Sequence, residues 1–298
     1  MSRAFLVCRA EYLESEMNDA MRVAYQGEPG AFSQAAARKL VGDDAKMIPF
    51  RSFEEMFESV GAGDADCCVS PIENTLAGSI HRNYDLLLAS GLSIFGETNL
   101  RIVHNLIVPP GTRLPEVRRV YSHPVALAQC GLFLRRHPQM EAVPVHDTAG
   151  AVRLIMERRE PDEAAIASES AAKIYGGVIL ATAIEDDPEN YTRFFLLAPP
   201  ETSIRPSPEP EPRRWKTSLL LQIANKPGSL FRALGVFALA DIDLSKIESR
   251  PIAGKPWEYA FYVDIIGNVG DASIADALDQ VRAAADSLKV LGSYPTPW

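Results

Sequence analysis

A short stretch, residues 190–194, places three side chains of different chemistry next to one another: the hydroxyl of Thr192, the guanidinium of Arg193 and the ring of Phe194. It runs directly into the apolar residues 195–198, which predict a buried strand. A rigid strand can hold such side chains in a fixed orientation, so the triplet indicates a site for a small anionic molecule that carries a ring. The alternative interpretation is a strand edge with one solvated arginine.

The composition limits the classes of partner. The chain has 298 residues, of which 47% are hydrophobic, and a formal net charge of -9, as expected of a folded protein with two domains or three lobes. The acidic balance argues against nucleic acid, and no apolar run reaches the roughly 20 residues of a membrane span. We therefore expect a cytoplasmic protein that binds neither nucleic acid nor membranes. A small anion would have to be held by local positive groups such as Arg193 and helix N-termini.

The four cysteines, at positions 8, 67, 68 and 130, show no metal-binding spacing. Two of them are adjacent in an apolar segment, which favours reduced thiols over disulfides. We assign them no chemistry, and the sequence predicts neither a metal nor a cofactor.

From Met21 onward short apolar strands alternate with helices, which indicates an α/β fold with a largely parallel sheet. Several predicted strands end at a Ser, Thr or Asp that begins a helix, and the carboxyl edge of such a sheet is where ligands bind. These caps suggest a cleft for carboxylates, although most caps bind nothing but their own helix. We also expect a strand to end at Ser70 and one helix to cover residues 124–135.

A second unit follows a change in composition after Ala198. Residues 199–212 include six prolines, which predict an extended linker. From Thr217 the strands and helices follow the order βαββαβ, which is ferredoxin-like. Two of its strands, at 242–247 and 259–266, are expected to be joined by a loop that contains residues 250–256. This fold alone names no function.

These features coincide with the motifs of a known family: the chain resembles the prephenate dehydratases, and equally the arogenate dehydratases, over nearly all of residues 21–298. The second unit resembles an ACT regulatory domain. The matching segments are Tyr25-Gln26-Gly27 with Gly30 and Phe32, Pro71-Ile72-Glu73-Asn74, Gly78-Ser79, Ser122-His123-Pro124 with residues 126–130, Asp147-Thr148-Ala149, residues 165–168, Thr192-Arg193-Phe194, and in the second unit residues 225–230 and Glu248-Ser249-Arg250-Pro251.

The resemblance implies a two-lobed, periplasmic-binding-protein-like α/β catalytic domain and a ferredoxin-like βαββαβ ACT domain. The implied site lies in the cleft between the lobes. The expected division is an N-terminal extension at 1–20, a catalytic domain at 21–199 with one lobe from 21–100 plus 188–199 and the other from 101–187, a linker at 200–216 and the ACT domain at 217–298.

The resemblance also implies roles for particular residues. Thr192 would act at the leaving hydroxyl, Arg193 in charge pairing or lobe positioning, and Phe194 as an apolar wall. His123 could equally be a helix cap, since it precedes Pro124, and the other histidines are expected to be surface or packing residues. Donors to the substrate carboxylates would be Asn74, Thr75, Ser79, Ser122, His123 and Thr148.

The implied reaction is the decarboxylating dehydration of prephenate to phenylpyruvate in L-phenylalanine biosynthesis, a carbon–oxygen lyase reaction that aromatisation drives without a cofactor. The alternative substrate is arogenate, which would give L-phenylalanine directly. Competing classes are a non-catalytic small-anion-binding protein with two closing lobes and a transcriptional regulator with a sensing lobe. The acidic charge disfavours the regulator.

The ACT resemblance implies that L-phenylalanine is an allosteric effector bound between subunits of a homo-dimer or homo-tetramer. Its loops offer no nucleophile, acid–base pair or metal set, so we expect this unit to bind and not to react. The residues expected to bind phenylalanine are Asn225, Pro227, Gly228, Ser229, Leu230, Glu248, Ser249, Arg250 and Pro251.

Overall fold

The computed structural model describes residues 20–206, 214–252, 254–255 and 257–296. The N-terminal extension expected at 1–20 lies outside these residues except for Ala20, as do Cys8 and the middle of the linker. The strands are β1 Arg22–Gln26, β2 Lys46–Phe50, β3 Cys67–Asn74, β4 Gly78–Ser79, β5 Ser93–Arg101, β6 Asn105–Val108, β7 Arg119–Ser122, β8 Glu141–Pro144, β9 Glu163–Ala167, β10 Val178–Ala181, β11 Tyr191–Ala198, β12 Arg214–Ile223, β13 Leu244–Pro251, β14 Tyr259–Ile266 and β15 Ser287–Thr296. The α-helices are α1 Phe32–Val41, α2 Phe53–Gly61, α3 His81–Ser90, α4 Pro124–Gln129, α5 Gly131–Arg136, α6 Thr148–Arg158, α7 Glu169–Tyr175, α8 Ser229–Leu239 and α9 Ala272–Ala284.

Two sheets organise the chain between Arg22 and Ala198. The first has the strand order β2-β1-β3-β11-β5, with β4 paired to β3, and the second has the order β10-β6-β9-β7-β8. Strand β11 returns from the second sheet to lie between β3 and β5, antiparallel to both. The predicted two-lobed α/β architecture is therefore confirmed, and β11 carries the Thr192-Arg193-Phe194 triplet across the junction of the lobes.

Strand β3 does not end at Ser70 as expected but continues through Pro71 to Asn74. Proline has no N–H to donate to a central ladder, and the register with β11 shifts between Arg193 and Phe194, opposite Pro71. The irregular pairing accommodates the proline. The strand therefore carries Glu73 and Asn74 beyond the point that the sequence predicted, and they turn directly into β4.

The single helix expected over residues 124–135 is wrong, because the chain forms two short helices, α4 and α5, that meet at Cys130. The N–H of Leu132, in the first turn of α5, donates to the Asp186 carboxylate at 2.8 Å. The second helix thus begins against an acidic side chain, as helix N-termini favour.

The third sheet has the order β13-β14-β12-β15, with α8 and α9 packed on one face. This is the predicted ferredoxin-like arrangement, which is confirmed. Strand β13 was expected to end at residue 247, but it runs on to Pro251. Pairing with β14 through Arg250 and Pro251 explains the extension.

The opposite face of the third sheet packs on the first lobe. Leu220, Tyr262 and Leu291 belong to the same buried cluster as Tyr84 and Phe195. At Gly292 a Cβ atom would lie 2.2 Å from the backbone oxygen of Ile94, so only glycine permits this approach. The ACT sheet is therefore a close neighbour of the strands that carry the candidate site.

Candidate functional site

A cavity of about 500 Å³ opens between the two lobes. Strand ends and helix beginnings of both sheets line it, as expected for the carboxyl edge of α/β sheets. The structure brings five of the predicted catalytic and substrate-binding residues together at its wall: Asn74, His123, Thr148, Thr192 and Phe194.

The alternation of β11 separates the triplet. Thr192 and Phe194 face the cavity, whereas the side chain of Arg193 points to the opposite side of the sheet. Successive side chains of a strand alternate between faces, so three adjacent residues cannot all contact one ligand. Strand β11 begins at Tyr191, one residue before the triplet, so all three residues lie within the strand.

The amide of Asn74 fixes the orientation of the Thr192 hydroxyl. Its Oδ1 accepts hydrogen bonds from the backbone N–H groups of Leu76, at 3.1 Å, and Ala77, at 2.9 Å. Its Nδ2 must therefore be the donor, and it lies 3.0 Å from Thr192 Oγ1 and 2.7 Å from Asn190 Oδ1. Because the Thr192 oxygen accepts from Asn74, its own proton is not used in that hydrogen bond and can be donated to a ligand in the cavity.

A chain of neutral groups extends this arrangement into the second lobe. Gln129 Oε1 accepts from Asn190 Nδ2 at 3.1 Å and lies 3.0 Å from His104 Nε2. The acceptor role of that oxygen requires His104 to carry its proton on Nε2. Burial lowers the pKa of His104, against the effects of Gln129 and Glu185. The ring is therefore neutral at pH 7, and the whole chain from His104 to Thr192 carries no charge.

His123 lines the cavity and also caps α4, so both interpretations of this residue have support. Its Nδ1 accepts from the N–H of Val125 at 3.3 Å, which leaves Nε2 as the donor of the neutral ring. Burial and the neighbouring His146 lower the pKa of His123, although Asp147 opposes them. His123 is thus a neutral hydrogen-bond donor and not a cation at pH 7.

The caps change the expectation about anion binding at helix N-termini. Ser52 accepts a hydrogen bond from the N–H of Glu55 in α2, and Asp147 accepts one from the N–H of Gly150 in α6. Each cap thus occupies one N–H group that an anion could otherwise use. The residue before helix α1 is Ala31, which provides no capping side chain, and Ala31, Phe32 and Ser33 line the cavity. The uncapped helix is therefore the better anion site.

Two arginines and a histidine at the cavity were not among the predicted site residues. Arg82 forms an ion pair with Glu54, while the Arg51 guanidinium has no charged partner among the residues that the structure describes. His146 was assigned a surface or packing role, but it lines the cavity and its Nε2 lies 3.0 Å from the carbonyl oxygen of Arg51 in the other lobe. Arg51 follows the end of β2, so the carboxyl-edge argument could have found it.

Three predicted substrate-binding residues lie elsewhere. Thr75 Oγ1 donates to the Glu189 carbonyl at 2.7 Å and accepts from the N–H of Tyr191 at 3.0 Å, which ties the chain before β11 to the end of β3. Ser122 is fully buried and donates to the Ile166 carbonyl at 2.6 Å. Ser79 contacts Glu248 and Lys246 of the ACT sheet.

Arg193 is the centre of a buried charged cluster between the first lobe and the ACT sheet. Its guanidinium contacts Glu97 at 2.5 Å and Asp264 at 2.7 Å, and donates to the Tyr294 hydroxyl at 3.2 Å. Lys216 also contacts Glu97, at 2.6 Å. The pairing role expected of Arg193 thus has partners in both domains, on the side away from the cavity.

The residues expected to bind phenylalanine divide into two groups. Asn225, Pro227 and Gly228 lie in an exposed turn, and Gly228, the residue before α8, has a φ of 78°, which favours glycine. On β13 the side chains alternate: Ser249 and Pro251 are exposed, whereas Glu248 and Arg250 contact the first lobe at Ser79 and Asp85. Ser229 is buried and Leu230 packs against the ACT core.

Cys67, Cys68 and Cys130 are free and buried, and burial raises the pKa of Cys67 to about 12. Thiols this deep are poor nucleophiles. Within the described part of the chain, no three His, Cys, Asp or Glu side chains lie close enough to hold a metal ion. No described helix is long and apolar enough to cross a membrane.

Known proteins share this architecture. The prephenate dehydratase family model matches residues 23–202, and the ACT domain model matches residues 217–283. The chain is 44% identical to arogenate dehydratase/prephenate dehydratase 2 of Arabidopsis thaliana, a chloroplastic protein, over 92% of this chain and 73% of that one.

Two solved structures are similar over nearly the whole chain. The prephenate dehydratase of Arthrobacter aurescens in complex with L-Phe superposes with a TM-score of 0.79 at 34% identity, covering 91% of this chain and 89% of that one. GqqA, described as a novel type of quorum quenching acylase, has a TM-score of 0.82 at 32% identity, covering 92% and 97%.

A two-lobed α/β unit with a polar cleft and an ACT sheet against its first lobe defines the class of protein, a two-lobed α/β domain joined to an ACT domain. The extent of the matches then gives the family: the chain belongs to the prephenate dehydratases.

Proposed function

We propose that the protein removes carbon dioxide and hydroxide from prephenate to give phenylpyruvate, with arogenate as the alternative substrate. The observation that carries this proposal is the Thr192 hydroxyl, which lines the cleft and accepts a hydrogen bond from Asn74. In the reaction the bond from the ring to its carboxylate breaks, and its electron pair enters the ring. The carbon–oxygen bond to the ring hydroxyl then breaks, and the departing oxygen leaves as water once it has gained a proton.

Thr192 assists the departing oxygen. A threonine hydroxyl is a very weak acid, so it donates a hydrogen bond or relays a proton and is not the final proton source. Donation from Asn74 to the Thr192 oxygen polarises the hydroxyl and strengthens its hydrogen bond to the leaving group. Fixed donors of this kind typically contribute about 10²-fold or more to turnover.

The cleft can also separate the substrate carboxylate that stays from the one that leaves. Three groups can donate to the carboxylate that stays: the uncapped N-terminus of α1, the Arg51 guanidinium and the ring Nε2–H of His123. Phe32, Ile102 and Phe194 form an apolar part of the wall. A carboxylate placed against such a wall loses hydration, which favours decarboxylation.

Turnover assays with each substrate test the proposal. Purified protein is incubated with prephenate or arogenate, and ring aromatisation is followed by absorbance. We expect turnover of at least one of them, and the ratio of kcat/KM decides between the keto and the amino substrate. Saturable binding of both without any product would replace the proposal with the non-catalytic anion-binding alternative.

The similarity to GqqA raises acyl transfer as a competing chemistry. Acyl transfer by a hydroxyl needs a base that removes its proton. The Thr192 oxygen accepts a hydrogen bond from an amide instead, and the nearest imidazole on the same chain of hydrogen bonds, His104, donates to Gln129. This arrangement supports a donor role for Thr192 over a nucleophilic one.

We further propose that L-phenylalanine binds the ACT sheet and inhibits the enzyme within a homo-dimer or homo-tetramer. The proposal is supported by the exposed turn at Asn225–Gly228, the outward-facing Ser249 and Pro251, and the L-Phe complex of the Arthrobacter aurescens relative. Coupling of this kind typically changes affinity by about 5–150-fold.

Calorimetry with phenylalanine tests the effector site. Gly228→Val should abolish binding, because valine is strained at a φ of 78° and its Cβ would lie 3.0 Å from the Arg232 guanidinium. Gly63→Val, at a φ of 79° with open space around it, is the control for strain alone. Undiminished binding to Gly228→Val would refute this placement.

The cytoplasmic location predicted from composition stays a prediction. Several relatives, including the Arabidopsis thaliana dehydratase, are chloroplastic. Fractionation of the source cells would decide where this chain acts.

A further inference from the structure

Strand β13 of the ACT sheet presents alternate side chains to the first lobe. Lys246, Glu248 and Arg250 are partly buried there, while the residues between them are exposed. Arg250 forms an ion pair with Asp85 of α3 at 2.7 Å. Lys246 contacts Glu73 of β3 and Ser79 of β4, and Glu248 contacts Ser79. One strand of the ACT sheet therefore touches the catalytic lobe at two separate points.

The Lys246 ammonium has a complete set of partners. Its Nζ lies 2.9 Å from Glu73 Oε2, 3.0 Å from Glu248 Oε2 and 3.0 Å from Ser79 Oγ. An ammonium carries three N–H donors, and each has an acceptor here. The side chain is only 11% exposed, so this charge is shielded from water and its geometry is defined by these contacts.

Two of the three partners face each other across a hairpin. Glu73 of β3 pairs with Ser79 of β4, and the next pair is Asn74 with Gly78. Lys246 therefore joins the two strands of the hairpin one residue pair away from Asn74. The turn within this hairpin is the segment whose N–H groups fix the Asn74 amide, and that amide orients the Thr192 hydroxyl.

We propose that Lys246 is a positioning residue for the reaction: from the ACT domain, it holds the β3–β4 hairpin in the shape that orients Asn74 and Thr192. This inference rests on the proposed function for its catalytic consequence. Without the ammonium, Glu73 would keep only Arg193, at 4.0 Å, and Glu248 only His81, at 3.1 Å, among the cationic partners that the structure describes. No described cation would then link Glu73 of β3 to Ser79 of β4, and the hairpin would lose this support.

The expected kinetic result is specific to positioning. Misplacement of catalytic groups by about 1 Å can cost about 10²-fold in rate. Lys246 lies on the side of the sheet away from the cleft, so Lys246→Met should lower kcat by roughly 10- to 100-fold and leave KM within about threefold. The matched control is Asp85→Ala, which removes the ion pair between Arg250 of β13 and α3 and should leave kcat unchanged.

Hydrogen exchange supplies a second readout that does not depend on turnover. The N–H groups of Leu76 and Ala77 are protected only while the hairpin keeps its shape. Lys246→Met should therefore speed exchange over residues 73–80 in the full-length protein, and Asp85→Ala should not. Glu73→Gln, which keeps the size of the side chain and removes its charge, should act in the same direction, and it replaces Lys246→Met if that variant does not fold.

The outcomes separate this inference from the proposed function. Wild-type kcat together with unaltered exchange in Lys246→Met, or in Glu73→Gln in its place, would overturn the inference while turnover by the wild-type protein stands. If the wild-type protein converts neither prephenate nor arogenate, the proposed function fails. The exchange comparison then still tests whether Lys246 holds the β3–β4 hairpin in shape. Faster exchange in Lys246→Met than in Asp85→Ala supports this role, and equal exchange overturns it.

Discussion

The two faces of the sheet at β3 and β11 differ in their chemistry. On the cleft face, Asn74 and Thr192 belong to a chain of uncharged side chains that continues through Asn190, Gln129 and His104. On the ACT face, the neighbouring residues Glu73 and Arg193 belong to ion pairs with residues of the ACT sheet. One residue step along either strand separates the two environments.

This contrast indicates that the two faces have different functions. A dianionic substrate is repelled by carboxylates, and Glu73 and Glu97 are both turned away from the cleft and paired with cations. Neutral amides can orient a hydroxyl without adding charge beside the substrate. We therefore expect changes on the cleft face to affect turnover, and changes on the ACT face to affect stability and the position of the strands.

The largest effect is expected for Asn74→Asp, which puts a charge on the neutral face. The new carboxylate has no N–H to donate, so the Thr192 hydroxyl would turn and donate to it instead of to the substrate. Loss of the donor and repulsion of the substrate should together lower kcat/KM by about 10²- to 10⁴-fold. Steady-state kinetics measure this change in kcat/KM. A fall of less than about tenfold would contradict the view that turnover needs an uncharged cleft face.

Arg193→Met tests the charged face. Removing one member of a buried ion-pair cluster typically costs about 3–5 kcal/mol, because the remaining charges stay buried. The melting temperature should fall by on the order of 10 °C, at about 2–4 °C per kcal/mol for a protein of this size. Arg38→Met is the control, since its pair with Asp43 is exposed and worth about 0–1 kcal/mol. Equal melting temperatures for the two variants would contradict the account.

A smaller, pH-dependent effect is expected at His104, the far end of the neutral chain. Burial lowers its pKa below the ordinary 6.5, so the unfolded state binds the proton more readily than the folded state. Its contribution to stability is present above pH 6.5 and is lost as the pH falls below that value. Wild-type protein should lose more unfolding free energy between pH 7 and pH 5.5 than His104→Gln, by at most about 1.4 kcal/mol per pH unit. Parallel pH profiles would mean that His104 is not held neutral.

Much of the fold could be predicted from the sequence. The alternation of strands with helices and the βαββαβ unit are local patterns, and each has a counterpart in the structure. Pro71 and Cys130 mark the limits of such patterns. Local rules would place Pro71 outside a strand, but a register shift in the pairing with β11 allows it within β3. Near Cys130, the carboxylate of Asp186, which is distant in sequence, accepts a hydrogen bond from the first turn of a new helix, α5.

The site was harder to predict because its contacts are long-range. Asn74 and Thr192 were named as site residues, but their hydrogen bond joins positions 118 residues apart. Ser79 and Glu248 were assigned to separate sites, and the structure places them in contact. Arg193 was grouped with Thr192 because the two are adjacent, although the period of a strand turns neighbours to opposite faces.

The central claim, that the oriented Thr192 hydroxyl assists loss of the ring oxygen, is tested most directly by kcat for Thr192→Val beside Thr192→Ser. Valine keeps the shape of threonine and removes the hydroxyl, whereas serine keeps the hydroxyl. With the better of the two substrates, we expect kcat to fall by about 10²-fold or more in Thr192→Val and to stay within about tenfold in Thr192→Ser, with little change in melting temperature. Full turnover by a folded Thr192→Val variant would contradict the claim.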